Sequence, residues 1–231
     1  MRKYDLHVHT CHSRCSVNKP AKILKRAMKA GLNGIAITDH NQVGGAIETV
    51  KLARKFIEKG LLASDFEVVI GEEVMTDQCE VLVYYVKEKI KPGRYEDVIH
   101  EVRRQGAVCS IAHPFSGGGR AHVNPKFFRN VARELLPDAI EGFNGRIIFD
   151  RANKKAKALA KELGLAVTGG SDGHFAFEVG AGYTKFKGDL KTALKKKVAR
   201  SAGKKKCPFF QRFMTFFLIL LKKVFKRKAD R

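Results

Sequence analysis

The sequence predicts an α/β fold with a mainly parallel sheet. Up to residue 188, short runs rich in β-branched and aromatic residues alternate with stretches of helical spacing that are rich in Ala, Leu, Lys and Glu. Glycine or proline punctuates the changes between them. Such alternation is typical of βαβ units, whose neighbouring strands run parallel. The candidate strands are YDLHVHT, GIAITDH, FEVVIGEEV, EVLVYYV, AVCSIAHP, AIEGFN, LAVTGGSD and GAGYTKF.

Helices are predicted between these strands, over residues 21–30, 45–59, 95–105 and 151–163. One connection differs, because only a few polar residues separate the third and fourth strand candidates. The segment EEVMTDQCEVLVYY therefore predicts a local hairpin within the otherwise parallel sheet.

Length and composition predict one catalytic domain with at most a short appendage. The chain has 231 residues, of which 44% are hydrophobic and 29% are charged, so it can bury one sizeable core. The five cysteines are odd in number and form no CxxC pair, which favours a reducing compartment over a disulfide framework. The start of the sequence has no apolar run of signal-peptide length. We expect a cytoplasmic protein.

The positive charge is concentrated in the last part of the chain. Residues 191–231 carry a net charge of +14, which leaves +8 of the total +22 for residues 1–190. The sequence therefore predicts two parts. Residues 1–188 form the catalytic domain, and residues 189–231 form a basic, Phe-rich tail that includes a short apolar helix.

Metal-capable side chains lie at the trailing ends of the predicted strands. In parallel βα barrels, the ends of the strands meet at one face, so these side chains predict a single pocket. In HxH, residues two apart on a strand also point the same way. His with Asp and Glu suits Zn²⁺, Mn²⁺ or Fe²⁺ rather than Ca²⁺. The strand-end residues are His7, His9, Asp39, His40, Glu73, His113, Asn144, Asp172 and His174.

Six of these segments resemble the motifs of the PHP (polymerase and histidinol phosphatase) family in order and approximate spacing. They are DLHVHT, ITDH, GEEV, AHP, EGFN and GSDGH, and the resemblance covers residues 4–186. It implies a distorted seven-stranded βα barrel, two or three divalent metal ions and phosphoesterase chemistry. The region around GEEVM and AHPF is similar to the small stand-alone members rather than to the polymerase-embedded domain.

The resemblance also implies roles for individual residues. His7, His9, Glu73 and Asp172 resemble ligands of a first ion, and Glu73 resembles the bridge to a second ion. The adjacent Glu72 is interpreted as supporting or structural. His113 resembles a ligand of the second ion, and His40 with His174 resemble ligands of a third.

Two positions depart from the common family pattern. Glu80 stands where the second ion often has a histidine, and a carboxylate there is still a possible ligand. In the loop CHSRCS, the remaining ligand of the third site is either Cys15, bound as thiolate, or His12. The alternative for this loop is that Cys15 packs and His12 is solvated.

Other residues are candidates for substrate binding or proton transfer. Arg120 and Arg146 are candidates for bidentate contact with a phosphate, although an exposed arginine is more often only solvated. Asn144 is a candidate for orienting a ligand or a substrate oxygen. The candidates for protonating the leaving alkoxide are Asp39, His40 and His174.

The expected activity is hydrolysis of a phosphomonoester, such as a nucleotide or another small phosphate, by a metal-bridged hydroxide. The alternative is a 5′–3′ exonuclease or 3′,5′-nucleotide bisphosphate phosphatase that acts on RNA or DNA ends, which the basic charge would serve. From another class, a non-catalytic binding module that uses metal only for stability is also considered.

The tail sequence KKKCPFFQRFMTFFLILLKKVFKRK admits three interpretations. A basic helix with a broad aromatic face suits the surface of an anionic membrane, at the inner face of the cell membrane. Alternatively, the helix docks on the barrel and buries Phe213, Phe217 and Leu221. The third interpretation is an arm that binds nucleic acid.

Overall fold

Among the residues that the structure describes, nine strands form a single mixed sheet that curves into a nearly closed barrel. The structure is a computed structural model and describes residues 1–117, 123–205, 210–211 and 213–220. The strands are β1 (Arg2–Val8), β2 (Gly34–Ile37), β3 (Glu67–Met75), β4 (Glu80–Tyr84), β5 (Val108–Ile111), β6 (Ala139–Asn144), β7 (Ala166–Gly170), β8 (Gly182–Phe186) and β9 (Arg200–Gly203).

The strand order in the sheet is β7-β6-β5-β4-β3-β2-β1-β8-β9. The β1–β2, β2–β3, β5–β6 and β6–β7 pairs are parallel, as the βα alternation predicts. The predicted hairpin is confirmed, because β4 runs antiparallel to both β3 and β5. The sheet has nine strands instead of the expected seven, since β8 returns antiparallel along β1 and β9 then pairs with β8.

Six α-helices connect the strands within the described part of the chain. The four predicted from the sequence are present, with boundaries that differ by about one residue, and two shorter ones were not predicted. Their inward faces carry apolar residues at helical spacing, as Ile23, Leu24 and Ala27 show on the first helix. The helices are α1 (Pro20–Lys29), α2 (Gly44–Glu58), α3 (Tyr95–Arg104), α4 (Pro125–Asn130), α5 (Asp150–Glu162) and α6 (Leu190–Lys195).

The barrel closes where β7 meets β1 and β8. A parallel bridge joins Val8 to Gly173 just beyond β7. The Thr184 hydroxyl accepts a hydrogen bond from Gly169 N at 2.8 Å and donates to Gly169 O at 3.0 Å. A Cβ atom on Gly170 would lie 2.4 Å from the His7 Cβ. Glycine at this position therefore lets β7 approach the strand that carries the HxH motif.

The barrel continues past the domain boundary expected after residue 188. Both α6 and β9 follow that boundary, and β9 pairs with β8 from Gly182↔Gly203 to Lys185↔Arg200. The high lysine content that suggested a separate tail from residue 189 reflects the solvent-facing sides of these elements. The described tail is therefore shorter than predicted.

A helical segment over residues 210–211 and 213–220, hereafter the tail helix, follows the barrel. No helix in the described ranges has both the length and the apolar character needed to cross a bilayer. The tail helix contacts the barrel through Arg146, which donates to Gln211 O and to Thr215 Oγ1. The expected docking face is wrong in detail, because Phe213 and Phe217 are 61% and 55% exposed. Leu221 lies outside the described residues.

Candidate metal centre

The metal-capable residues converge at one mouth of the barrel. His7, Glu73 and Asn144 lie at or near the ends of parallel strands, and His40 and His113 follow the ends of two others. Glu80 is at the beginning of β4, yet the antiparallel pairing Met75↔Glu80 brings it to the same end of the barrel. The hairpin therefore adds a carboxylate that strict strand-end reasoning would place at the opposite face.

The His7 ring is oriented by a buried carboxylate on β6. Its Nδ1 atom lies 3.1 Å from Glu141 Oε1. The second oxygen of Glu141 accepts from His113 N at 2.9 Å and from Asn144 Nδ2 at 3.0 Å. A carboxylate accepts, so His7 Nδ1 holds a hydrogen. Although burial opposes the charged form, the charges of Glu141, Asp172 and Glu73 raise the pKa of His7 well above its usual value. Nε2 therefore offers its lone pair to the pocket once a metal ion displaces its proton. A carboxylate behind a histidine is a common support for metal ligands.

His174 is held in the same way by backbone. Its Nδ1 atom lies 2.7 Å from Asp172 O, which can only accept, so Nε2 again carries the lone pair. Burial, followed by the positive charge of Arg146, lowers the pKa of His174 well below its usual value. The neutral imidazole is the form that binds metal ions.

Glu73 lies at the centre of the cluster. Its Oε1 is 3.1 Å from His113 Nε2, and its Oε2 is 3.0 Å from His40 Nδ1 and 3.4 Å from His7 Nε2. Both oxygens are buried, and neither has a well-aligned hydrogen-bond donor among the described residues. Two buried oxygens facing different imidazoles are an arrangement that suits a carboxylate shared by two cations.

Four overlapping sets of side chains bring ligand atoms within 4.8 Å of one another and could hold a metal ion. Eight of the nine predicted ligands belong to these sets. The ninth, Cys15, lies beside His40 but is in none of the sets found within the described part of the chain. The sets are His9–His40–His174, His7–His113–Asp172, His7–His9–Glu73 and His40–Glu73–Glu80.

Charged side chains within the cluster shift the pKa values of their neighbours. Although burial opposes the charged form, the charges of His7 and His40 hold the pKa of Glu73 well below its usual value. The pKa of His40 is shifted upward. Burial lowers this pKa, but the charge of Glu73 outweighs burial and raises it to about 11. Burial and the charge of Glu73 raise the pKa of Glu80. Bound cations would relieve the repulsion between these carboxylates.

Two of the candidate ligands have a left-handed backbone conformation. The φ angle is 23° at His113 and 56° at Asp172. A residue other than glycine is uncommon at positive φ, although aspartate tolerates it better than most. At both positions the turn after the strand directs the side chain back over the barrel mouth, where Asp172 Oδ1 lies 3.6 Å from His7 Nε2.

The predicted proton donor Asp39 is instead used to hold the loop after β1. Its Oδ1 accepts from Thr10 N at 2.8 Å and from the Ser13 hydroxyl at 2.5 Å, and its Oδ2 accepts from the Thr10 hydroxyl at 2.6 Å. The side chain is fully buried. Asp39 therefore positions the HTCHS segment around His9, and its carboxylate is not directed at the cavity.

The interpretation of Glu72 as structural fits its surroundings. The side chain is buried, and its Oε1 accepts a hydrogen bond from Ile90 N at 2.7 Å. It is on the face of β3 opposite to Glu73, as expected for adjacent residues on a strand.

His12 is at the surface, where its Nε2 lies 2.7 Å from Glu48 Oε2. That contact fits the solvated interpretation of His12.

The residues proposed to bind substrate have other contacts. Asn144 is buried and donates to Glu141 Oε2 and to Asp172 Oδ2, so it orients carboxylates. Arg146 is 5% exposed rather than at the surface, and its Nε lies 3.6 Å from Glu178 Oε1. The expected free, substrate-facing Arg146 is therefore not what the structure shows. Arg120 lies outside the described residues.

Sequence reasoning missed two residues of the site. Glu141 is an isolated acid within the apolar strand segment AIEGFN, and an acid on a buried strand is a usable signal. Arg14 lines the cavity of about 590 Å³ next to the cluster, together with Cys15, His40 and Glu80. An arginine in a polar loop gives no sequence signal of its own.

Comparison with known proteins places this architecture in a class. A family model described as PHP-associated (PHP_C) matches residues 150–205. An uncharacterized protein of Methanocaldococcus jannaschii is 38% identical over 153 residues, which cover 62% of this chain and 81% of that protein. A second uncharacterized protein of that organism is 32% identical over 188 residues, covering 80% and 70%.

Solved structures show the same fold. A two-domain protein from Bacteroides vulgatus, which contains a predicted PHP-like metal-dependent phosphoesterase, matches with a TM-score of 0.64 at 18% identity, over 88% of this chain and 65% of that one. The lesion-specific endonuclease PfuEndoQ from Pyrococcus furiosus matches with a TM-score of 0.53 at 13% identity, over 87% and 57%.

The fold and the cluster define an α/β barrel protein with a multi-ligand, metal-capable centre at its mouth. The chain belongs to the PHP family, as the order of its sequence motifs suggested.

Proposed function

We propose that this protein is a metal-dependent phosphoesterase that hydrolyses a phosphomonoester, such as a nucleotide or another small phosphate. The observation that carries the proposal is Glu73, whose two buried oxygens face different imidazoles without accepting an aligned hydrogen bond from a described residue. Two divalent ions sharing this carboxylate would supply a water-derived nucleophile and would stabilise negative charge on the phosphoryl oxygens.

The residues fit two or three ions of the Mn²⁺, Zn²⁺ or Fe²⁺ type. Imidazole and carboxylate together favour these metals over Ca²⁺. Nδ1 of His7 and Nδ1 of His174 each face an acceptor, so in both rings Nε2 is the nitrogen available to a metal ion. A third ion would use the set His9–His40–His174. Because Cys15 contacts His40, it is a candidate for completing that set.

His40 is the best placed of the three proposed proton donors. Asp39 is committed to the loop after β1, and the low pKa of His174 leaves its Nε2 atom without a proton at neutral pH. His40 is partly exposed and lines the cavity. With two ions bound, it would protonate the leaving oxygen, whereas with three ions it would be a ligand. The number of bound ions therefore decides its role.

The size of the cavity favours a small substrate. The cavity of about 590 Å³ is bordered by Ile219 of the tail helix as well as by the barrel residues His40 and Glu80. Arg14, at its edge, is the cation best placed to meet a phosphate that approaches the cluster. A phosphomonoester of nucleotide size fits such a space.

The second candidate is cleavage at RNA or DNA ends, as a 5′–3′ exonuclease or a 3′,5′-nucleotide bisphosphate phosphatase. Its support is the net charge of +22 and the fold shared with PfuEndoQ, which is described as an endonuclease. A single-stranded end would have to enter beside the tail helix.

One set of assays separates these candidates. Protein purified without added metal is analysed for bound elements and then assayed with Mn²⁺ against p-nitrophenyl phosphate, nucleotide bisphosphates and end-labelled oligonucleotides. We expect turnover of a monoester. Faster turnover of oligonucleotide ends would favour the second candidate. Bound metal with no turnover of any substrate would instead favour the metal-stabilised binding module.

A further inference from the structure

The tail helix covers the mouth of the barrel with only one of its faces. On the inner face, the Gln211 side chain is 1% exposed, Thr215 meets Arg146, and Ile219 borders the cavity. On the outer face, five large apolar side chains are at least 42% exposed. They are Phe210, Phe213, Phe216, Phe217 and Leu220.

This outer face has the pattern of a buried surface. Phe210, Phe213, Phe217 and Leu220 are spaced by three, four and three residues, so they form one stripe along the helix. A helix that is apolar on two sides is normally covered on both. A contiguous exposed stripe of this kind marks an interaction site rather than a solvated surface.

The positive charge of the tail indicates which kind of partner binds the stripe. Residues 191–231 carry a net charge of +14, and Lys or Arg residues flank the helical segment in the sequence on both sides. A second copy of this chain would bring two such tails together and would be repelled. An anionic lipid surface attracts the lysines and accepts the phenylalanines into its interface. The ten described helical residues are too few to span it.

Arg146 connects the tail helix to the metal centre. Its Nη2 atom donates to Gln211 O at 2.8 Å and to Thr215 Oγ1 at 2.6 Å. Its Nε atom lies 3.6 Å from Glu178 Oε1, and Glu178 Oε2 accepts a hydrogen bond from His174 N at 2.5 Å, so the guanidinium is near the cluster. If the tail helix leaves, Arg146 keeps the carboxylate of Glu178 but loses both of these acceptors.

We propose that the outer face of the tail helix binds an anionic bilayer, and that this binding draws the helix away from the barrel mouth. Opening exposes the cavity beneath Ile219 and frees Arg146 Nη2 to donate to a substrate phosphate. The lipid-binding step stands by itself, whereas the phosphate contact rests on the proposed function. The two steps are therefore tested by different measurements.

Lipid binding is tested by sedimentation of the full-length protein with vesicles. We expect it to pellet with equal parts of phosphatidylserine and phosphatidylcholine, to stay in solution with phosphatidylcholine alone, and to be released by salt. The double variant Phe213→Ser/Phe217→Ser should weaken binding by about tenfold or more, because two exposed rings that would enter the lipid interface are lost. Met28→Ser is the matched control, since Met28 is exposed on the last turn of α1, away from the mouth.

A fluorescent reporter gives an independent measure of where the helix goes. The chain has no tryptophan, so Phe216→Trp introduces a single emitter on the outer face. Its emission should shift to the blue with anionic vesicles, whereas that of Met28→Trp should not. Failure of the wild-type protein to pellet, binding to an oligonucleotide but not to vesicles, or self-association without lipid would each overturn the proposal.

Opening is measured without catalysis, by alkylation of Cys15 with a water-soluble maleimide. Cys15 lines the cavity that Ile219 borders, and Cys11 is exposed outside it. Anionic vesicles should speed alkylation of Cys15 several-fold and leave Cys11 unchanged, as read by peptide mass mapping. Thr215→Val, which removes one acceptor of Arg146, should speed Cys15 alkylation even without lipid. Vesicle binding with an unchanged Cys15 rate would overturn the opening step.

Discussion

The Nε2 atoms of His7 and His9 lie 3.1 Å apart inside the barrel mouth. Two lone pairs would repel at this distance, so a proton or a cation must lie between the two atoms. Although burial opposes the charged form, the charges of Glu141, Asp172 and Glu73 raise the pKa of His7 well above its usual value, so without metal the proton is on His7 Nε2. Burial lowers the pKa of His9, which leaves its Nε2 atom as the acceptor. A metal ion bound by both rings would displace that proton.

The adjacent acids of β3 provide a matched pair of variants. Glu73→Gln keeps the shape of the side chain but removes the charge shared by four imidazoles, so we expect loss of at least one bound ion and a fall in hydrolysis of ~100-fold. Glu72→Gln preserves the acceptor for Ile90 N and should retain both metal and activity. Elemental analysis and p-nitrophenyl phosphate turnover measure the two effects. A reversed result would show that Glu72 is the ligand.

Glu141 is expected to act through His7. Glu141→Ala frees the His7 ring and leaves His113 N without its acceptor, so metal affinity should fall by about 10- to 100-fold. Glu141→Gln, which still offers an acceptor oxygen, should be affected less. Titration with Mn²⁺ or Zn²⁺ measures the affinity, and exposed Glu162→Gln is the control. Equal affinities for wild type and Glu141→Ala would contradict this role.

Glu80 is expected to hold the second ion. Its Oε2 atom lies 3.8 Å from His113 Nε2, and it shares a ligand set with His40 and Glu73. Glu80→Ala should lower metal retention after dialysis, while Glu80→His should restore it by supplying the ligand common at this position in the family. If Glu80→Ala holds as much metal as the wild type, the residue is only a group on the strand surface.

The reactivity of the cysteines should follow burial. Burial raises the pKa of the Cys109 thiol to about 12 and also strongly raises the pKa of the Cys79 thiol. Thiolate is therefore scarce at both residues at pH 8. Cys11 is exposed and should react with iodoacetamide at the rate of an ordinary thiol. Peptide mapping after a short treatment of native protein should find Cys11 modified and the two buried residues unmodified until urea is added. Early labelling of Cys109 would contradict the packing of β5.

Much of the barrel could be predicted because its signals are local. Histidines and carboxylates at the strand ends indicate one shared face of the barrel, and the short polar turn between Glu73 and Glu80 indicates a hairpin. The strand β9 was missed because RSAG is short and polar, and its pairing with β8 supplies the stability that its sequence does not. Tertiary contact, not propensity, decides such a segment.

The functions of arginine and of buried acids were harder to predict. From the sequence alone, Arg146 is expected at the surface. In the structure, Glu178 and the tail helix enclose it, and both partners are distant along the chain. Glu141 supports His7 across 134 residues of sequence. Which phenylalanines of the tail helix face outward could not be predicted, because this depends on where Arg146 and Thr215 meet.

The seam between β1 and β7 has a consequence for the order of folding. His7 is on the first strand and His9 directly follows it, whereas Asp172 and His174 follow the seventh strand. The two pairs meet only after more than two-thirds of the chain has been made and the barrel has closed. Contacts so distant in sequence form late, because loop-closure entropy must be overcome first. A nascent or partly folded chain thus offers incomplete ligand sets. The chain therefore selects its metal ions only after the barrel has folded, when the geometry of the complete ligand sets can discriminate among metals.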